Sequence, residues 1–223
     1  MFENELELER KSSNMVPLLT ALGLVLLIGG VVFYVVRESR QKLTPEQART
    51  LVSTVLKNQA PAAIRFHVGV VKPSVNDRPG DPHYKLLEKA GILKIVRHKD
   101  GSATVAITPD GERVIQQISG VARTKEKDGT ELYSVPLAQR ELAGLSEVAM
   151  NGPSAARIEY SWKWNPNRLG DVFDASGSAV KSFNTWERST LIQKYGVDFY
   201  HADPKKSSLR MVRQDKDWRV AAE

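Results

Sequence analysis

An uninterrupted apolar run near the N-terminus constrains this chain more than any other feature. The run begins at Val16 and ends at Val36, and it contains no charged residue. At about 1.5 Å of rise per residue, a helix of this length crosses a hydrocarbon layer of about 30 Å. Tyr34 lies near the far end, where an amphipathic ring suits the membrane interface. The run predicts one transmembrane helix over residues 16–36, between a polar tail, residues 1–15, and a charged linker, residues 37–43.

A cleavable signal peptide is the nearest alternative to a permanent anchor. Its apolar core is usually about 7–15 residues long and is followed by small residues that suit cleavage. Here the apolar run is longer and passes directly from Val35 and Val36 to Arg37. We therefore expect an uncleaved signal-anchor. The small residues of the run do not stand four apart, so the usual spacing for helix association in a membrane is absent and the oligomeric state is left open.

Two considerations give opposite orientations for the soluble region. Lys and Arg are more numerous after the apolar run than before it, which favours a cytoplasmic C-terminal region by the positive-inside tendency. In contrast, short N-terminal tails followed by one anchor and a large C-terminal domain most often keep the tail inside. We expect a single-pass protein of the cell membrane with an extracytoplasmic C-terminal domain, and the cytoplasmic orientation stays open.

Charge and cysteine content limit the function classes. The net charge of the chain is +6, but the first fifteen residues carry −2, so the remainder carries +8. A basic surface attracts anionic partners such as lipid headgroups without specifying one. The chain has no cysteine, which excludes disulfides, thiolate nucleophiles and cysteine zinc sites.

The first part of the soluble region, residues 44–121, repeats one helix-start signal three times. A capping residue precedes proline at Thr44, Asp81 and Thr108. This pattern predicts helices over about residues 44–59, 81–91 and 108–120. Alternating apolar residues predict a strand over residues 64–70. A hairpin is expected to join residues 92–96 and 103–107, because Asp-Gly at positions 100 and 101 favours a tight turn.

The second part, residues 122–223, is predicted to be mainly antiparallel β structure. Asp-Gly at positions 128 and 129 predicts another hairpin. Nine residues of unbroken alternation make residues 156–164 a clear strand. We interpret residues 166–174 as a turn or short helix and residues 189–195 as a strand. Residues 209–213 and 218–220 are expected to close the chain as a hairpin.

Residues 83–117 resemble a winged-helix module. The resemblance lies in a helix ending at Ala90-Gly91-Ile92-Leu93, a two-stranded wing, and a helix start at Thr108-Pro109-Asp110-Gly111. It covers about 35 residues. Together with the helices and strands predicted above, it leads us to expect an α+β fold in which a winged-helix-like unit precedes an antiparallel sheet. In winged-helix regulators, the helix before the Ala-Gly pair reads DNA and the wing touches phosphates. Carried over, the nucleic-acid contacts would be His83, Lys85, Lys89, His98 and Lys99.

Two features separate this segment from a DNA-reading module. A strand and a proline-rich loop precede the candidate helix instead of a supporting helix. The helix also offers neither arginine nor an amide side chain for pairing with bases. The later tryptophan-rich strand and the ending Asp217-Trp218-Arg219-Val220 loosely resemble uncharacterised bacterial envelope proteins. That resemblance implies no activity.

Candidate sites are few. Tyr160, Trp162 and Trp164 lie on one face of the predicted strand, where they form either a partner-binding platform or part of the core. Asp198, His201 and Asp203 are the tightest group of possible metal ligands, but a solvated loop explains them better, so we predict no metal site. No nucleophile elbow, phosphate loop or dinucleotide fingerprint occurs, and we predict no catalytic residue and no cofactor.

These observations lead to two hypotheses of function. The first is a non-catalytic, single-pass protein of the bacterial envelope that contacts another envelope protein or anionic lipid headgroups. The alternative is a membrane-tethered winged-helix DNA-binding regulator with a cytoplasmic domain. An enzyme is not expected, although residues distant in sequence can assemble a catalytic site.

Overall fold

The computed structural model describes residue 24 and residues 26–30, 42–74, 78–215 and 217–221. Among these residues, helices and one eight-stranded antiparallel sheet give an α+β fold. The helices are α1 (Pro45–Asn58), α2 (Pro82–Lys89), α3 (Pro109–Gln116), α4 (Arg168–Val172), α5 (Ser178–Lys181), α6 (Thr185–Tyr195) and a 3-10 turn (Gly196–Phe199). The strands are β1 (Ala62–Val71), β2 (Leu93–Arg97), β3 (Ala103–Ile107), β4 (Ala122–Lys125), β5 (Glu131–Met150), β6 (Ala155–Pro166), β7 (Lys205–Gln214) and β8 (Asp217–Val220).

The three helix starts predicted from a capping residue and proline are confirmed as α1, α2 and α3. In α1 the apolar stripe is buried through Ala48, Val52 and Leu56. In α3 the Thr108 hydroxyl accepts a hydrogen bond from the Gly111 N–H, as a capping residue should. The wing hairpin is also confirmed, because β2 pairs with β3 across a turn in which Gly101 has a φ of +84°.

Strand β1 departs from the predicted alternation at one glycine. Its first part pairs with β5, and its last three residues pair with β3. Gly69 lies at the change of partner with a φ of +109°, a conformation that side chains other than glycine rarely adopt. The backbone turn at this residue exposes Val70 and buries Val71. The prediction that Val70 shares the buried face of Ile64 and Phe66 is therefore wrong.

The hairpins of the second part of the chain are confirmed, and β5 is longer than expected. β4 pairs with the beginning of β5, and β7 pairs with β8. On β6 the expected alternation holds: Ala156, Ile158, Tyr160 and Trp164 are buried. The strand order is β2-β3-β1-β5-β6-β7-β8, and β4 pairs with β5 outside this path.

Residues 189–195 are helical, so the interpretation of this segment as a strand is wrong. They belong to α6, which begins with a reciprocal cap. The Asn184 side chain accepts from the Glu187 N–H and donates through Nδ2 to the Glu187 carboxylate. The first bond satisfies a backbone N–H of the first turn, and the second holds the two side chains together. This start favours a helix over the strand preference of the β-branched and aromatic residues that follow.

The chain divides into two compact units. One consists of Met1–Thr44, Ala149–Arg157 and Arg210–Glu223, and the other consists of Pro45–Val148 and Ile158–Leu209. In the second unit the main core includes Phe66, Tyr84, Tyr133 and Phe173. In the first unit the β7–β8 hairpin closes at Asp215, which has a φ of +58°.

The predicted membrane helix falls mainly outside the described residues. Of residues 16–36, residue 24 and residues 26–30 are described, and they are helical and exposed. Within the part of the chain that the structure describes, no helix has both the length and the apolar character needed to cross a membrane. The tail, residues 1–15, and most of the linker also lie outside the described residues, so the anchor stays a prediction.

Candidate functional site

Helix α2, the candidate DNA-reading helix, contacts α6 and the residues just before it. His83 is buried, and its ring lies against the rings of Tyr84 and Tyr195, with centroids 4.6 Å and 6.4 Å away. Lys85 Nζ lies 2.6 Å from a carboxylate oxygen of Glu187. Of the α2 residues assigned to DNA contact, His83 is therefore inside the protein and Lys85 is paired with a carboxylate of the same chain.

The lysine at the end of α2 is engaged as well. Lys89 Nζ donates a hydrogen bond of 2.6 Å to the Ser182 hydroxyl. The same ammonium group lies 5.7 Å from the centroid of the Phe183 ring, within cation–π range. Lys89 is nevertheless exposed, so its charge can still meet a ligand.

The two wing-tip residues are exposed. Nε2 of His98 lies 2.9 Å from the Thr104 hydroxyl, and Lys99 is exposed. The tip is ordered by Asp100, whose carboxylate accepts from both the hydroxyl and the N–H of Ser102. These two bonds hold the pKa of Asp100 below its usual value, because they favour the charged carboxylate.

The aromatic strand residues are mostly inside the protein. Tyr160 and Trp164 are buried, and Trp162 is half-buried. The two indole rings are perpendicular, with centroids 5.1 Å apart. The Arg140 guanidinium lies over both rings, 5.1 Å from Trp162 and 4.6 Å from Trp164, and it donates to the Ala60 carbonyl. The two indole rings are thus in cation–π contact with the chain's own arginine.

Asp198, His201 and Asp203, the group of possible metal ligands for which we predicted no metal site, lie after α6. His201 is buried, and its Nδ1 lies 3.9 Å from a carboxylate oxygen of Asp174. Partial burial raises the pKa of Asp198, while the positive charge of Arg140 acts in the opposite direction. Asp203 is exposed. Among the described residues, no three histidine or carboxylate side chains come close enough together to hold a metal ion.

A cleft of about 690 Å³, which we call the basic cleft, lies in the described region. Its floor is apolar, and its rim carries exposed charged side chains. Helices α2, α3, α4 and α5 and the turn after α2 line it. The floor consists of Leu86, Ile92, Val114, Leu169, Val172 and Ala179, and the charged rim consists of Lys89, Arg113, Arg168 and Asp110.

A close backbone contact positions α3 at one side of the basic cleft. The Thr108 N–H donates to the Ile92 carbonyl and the Thr108 hydroxyl donates to the Gly91 carbonyl. Gly111 lies so close to the Ile92 carbonyl that a Cβ atom there would overlap it. The first turn of α3 therefore sits directly on the turn after α2. This contact sets the position of Arg113 at the rim.

Asn167 positions α4 at the opposite side. Its side-chain oxygen accepts from the N–H groups of Leu169 and Gly170, which caps the helix. Its Nδ2 donates to the Pro136 carbonyl of β5 at 2.7 Å. Gly170 approaches the Leu137 carbonyl too closely for a Cβ atom to fit. Helix α4 is thus fixed to the sheet, and Arg168 projects beside the floor.

The rim of the basic cleft has an excess of positive charge. Arg113 forms an ion pair with Asp110 one helical turn away, and both side chains are largely exposed. Arg168 has no ionic partner within the described ranges. Exposed ion pairs contribute little to stability, so Arg113 can exchange Asp110 for a ligand at small cost. The rim can bind an anionic group, and the floor can accept an adjoining apolar group.

Sequence reasoning missed the two arginines of this site. It identified Lys89 from the winged-helix resemblance, but Arg113 and Arg168 come from helices separated by more than fifty positions in the sequence. A cap residue before each helix is visible in the sequence, whereas the contact of both helices with one apolar floor is not. Comparisons of the chain with protein-family models, with curated proteins and with solved structures found no match.

Proposed function

We propose that this chain is a single-pass membrane-anchored protein of the bacterial envelope that acts by binding rather than by catalysis. The basic cleft is the observation that carries this proposal. Concave sites of about 300–1,000 Å³ with apolar walls and a few charged groups are typical of ligand binding. A volume of about 690 Å³ with three cations at its rim fits this description. The anchor predicted from residues 16–36 would keep this site at a membrane.

The charge of the chain supports an anionic partner. Beyond the first fifteen residues the net charge is +8, so the soluble region attracts acidic proteins and anionic membranes alike. At the cleft this general attraction coincides with a defined site, where Lys89, Arg113 and Arg168 surround apolar side chains.

The alternative, a membrane-tethered winged-helix DNA-binding regulator, requires α2 to lie in a DNA groove. Lys85 instead contacts Glu187, and His83 is buried against Tyr195. Those contacts would have to break before α2 could read bases, and the exposed wing residue Lys99 alone would supply only a phosphate contact. For this reason we favour the binding role at the basic cleft.

Site-directed photo-crosslinking in intact cells tests the binding role. A photoreactive amino acid in place of Gln117, at the edge of the basic cleft, should give a covalent adduct with a lipid or protein. The same amino acid in place of Lys99, at the wing tip, is the matched control and should not give that adduct. Absence of any adduct from the cleft position, in cells where the full chain accumulates normally, would refute the binding role.

Reporter fusions to the C-terminus test the orientation. An enzyme that is active only in the periplasm should be active when fused to the chain, because we propose an extracytoplasmic soluble region. A reporter that is active only in the cytoplasm should be inactive in the same position. The reverse pattern would place the soluble region in the cytoplasm and would remove the proposed envelope role.

A further inference from the structure

We propose that the basic cleft binds the phosphate headgroup of an anionic phospholipid from the membrane to which the chain is tethered. This inference rests on the proposed function, because it requires a chain that is anchored beside a bilayer. Beyond the proposed function, the inference names the class of ligand that the cleft binds. The rim cations would hold the phosphate, and the apolar floor would contact the glycerol and the first carbons of an acyl chain.

The arrangement of charge in the cleft matches that ligand. Lys89, Arg113 and Arg168 approach from α2, α3 and α4, so three cations from separate helices share one rim. Asp110 is the acidic residue of that rim, and it is paired with Arg113. A phosphodiester has one negative charge and several acceptor oxygens, which suits guanidinium groups because they donate two parallel hydrogen bonds.

The floor distinguishes a lipid from a free anion. Leu86 and Leu169 are fully buried beneath the rim, and Val172 and Ala179 are partly accessible. Inorganic phosphate would make no use of the accessible apolar atoms of Val172 and Ala179, whereas the hydrocarbon next to a lipid phosphate would cover them and gain from their burial. Floor and rim together therefore favour an amphiphilic anion.

Only a short linker separates the predicted anchor from the first helix of the second unit. Eight residues separate Val36, the last residue of the predicted anchor, from Pro45, the first residue of α1. Fully extended, they span less than about 30 Å. The predicted anchor would thus tether the start of α1 within that distance of the headgroup layer, where anionic lipid is concentrated and a negative surface potential attracts basic groups. A soluble acidic peptide has no comparable local concentration.

A fluorescent label at the cleft can test this proposal on the full chain. The protein has no cysteine, so Gln117→Cys provides one labelling site for an environment-sensitive fluorophore. Lys99→Cys provides the control label at the wing tip. The purified chain, in a non-ionic detergent, is titrated with short-chain phosphatidylglycerol, short-chain phosphatidylcholine, inorganic phosphate and a hexaglutamate peptide. We expect a saturable change at the cleft label with phosphatidylglycerol, none with phosphatidylcholine, and none at the wing label.

Charge-reversal variants assign the response to the rim. Arg113→Glu with Arg168→Glu should weaken phosphatidylglycerol binding by about tenfold or more, because two cations at the phosphate become anions. Lys125→Glu with Lys127→Glu changes the net charge equally at exposed positions outside the cleft and should leave binding unchanged. If the first variant unfolds, Arg113→Gln with Arg168→Gln should still weaken binding several-fold.

The other possible outcomes of the titrations and of the charge-reversal variants would each contradict a lipid ligand. Equal responses to phosphatidylglycerol and inorganic phosphate would make the ligand a free anion, and saturation by hexaglutamate alone would make it an acidic peptide. Equal weakening by both charge-reversal variants, or a response to phosphatidylcholine, would show non-specific association. Photo-crosslinking of the Gln117 position to a protein would leave the proposed binding role intact while removing the lipid, so failure of the two proposals can be told apart.

Discussion

Gly111 is the residue that allows α3 to lie directly on the turn after α2. Its amide donates to the Thr108 hydroxyl, and its α-carbon faces the Ile92 carbonyl. A side chain would push these backbones apart, and it would move the helix that carries Arg113. The requirement at this position is for close approach and not for an unusual φ, because no positive φ occurs at Gly111.

Gly111→Ala should therefore lower the free energy of unfolding by about 2 kcal/mol or more, because overpacking against a fixed backbone typically costs about 1–3 kcal/mol. Denaturant unfolding of the full chain in detergent measures the loss. Gly80→Ala is the matched control, since a Cβ atom at Gly80 meets nothing within 4 Å. Equal stability of the two variants would contradict the close contact between α3 and the turn.

Asp198 makes the stability of the folded state depend on pH, and the direction of its pKa shift fixes the sign of that dependence. Partial burial raises the pKa of this carboxyl, and the attraction of Arg140 does not fully compensate. The folded state therefore holds the proton more tightly than the unfolded state. The associated stability is present below the unfolded value of 3.8 and is lost as the pH rises through the raised, folded-state pKa.

Asp198→Asn should raise the melting temperature at neutral pH, and the gain should vanish at acidic pH, where the carboxyl is neutral as well. Thermal unfolding at several values between about pH 3.5 and about pH 8 covers the ordinary range of a shifted carboxyl. Asp203→Asn removes an exposed loop carboxylate nearby and is the control. A destabilised Asp198→Asn protein at neutral pH would mean that attraction by Arg140 dominates the effect of burial.

At the scale of elements, α4 depends on Asn167 more than on its own five residues. A helix this short has little intrinsic stability. It is fixed because one side chain caps it and also bonds the Pro136 carbonyl of β5. Arg168, the first residue of the helix, owes its place at the basic cleft to this connection.

Asn167→Ala should cost about 2 kcal/mol of stability, since loss of a cap costs about 0.5–2 kcal/mol and the Pro136 carbonyl also loses its partner. Asn167→Ser keeps a capping oxygen but cannot reach Pro136, so we expect a loss of about 1 kcal/mol. Denaturant unfolding gives both values. If the serine variant is as unstable as the alanine variant, the bond to Pro136 is the important one and the cap contributes little.

The elements that sequence predicted correctly are those with a local signal. Capping residues before proline marked α1, α2 and α3, and Asp-Gly turns marked two hairpins, because a few adjacent residues determine each of these conformations. Residues 189–195 were predicted as a strand because the segment contains β-branched and aromatic residues. That prediction did not consider the residues at the start of α6. The pattern Asn184-x-x-Glu187 was the missed signal.

The site was less predictable than the fold. Gly69 reverses the face of β1 through a positive φ that one sequence does not disclose, and the cleft exists only because α3 and α4 contact a common floor. The tryptophans of β6 were correctly placed on one face, yet the residue that covers them, Arg140, comes from the neighbouring strand β5. Long-range contacts of this kind determine which charged residues share a surface.

At the scale of the whole molecule, the predicted anchor and the basic soluble region reinforce each other. The anchor would confine the soluble region near the bilayer, and its net positive charge would then be attracted to anionic headgroups. Both effects depend on the apolar run of residues 16–36 staying uncleaved and inserted. The run therefore needs a test that does not involve the cleft.

Carbonate washing of membranes from cells that make the full chain provides that test. The unaltered protein should stay in the membrane fraction, and its N-terminus should precede residue 16. Leu24→Arg with Leu27→Arg places two charges in the middle of the apolar run, each costing about 2.5–3.5 kcal/mol on insertion scales. Most of this variant should appear in the soluble fraction. The control variant, Leu24→Ile with Leu27→Ile, keeps the run apolar and should stay in the membrane. Release of the unaltered chain by carbonate would contradict the predicted anchor. The membrane could then no longer be the source of the cleft's ligand.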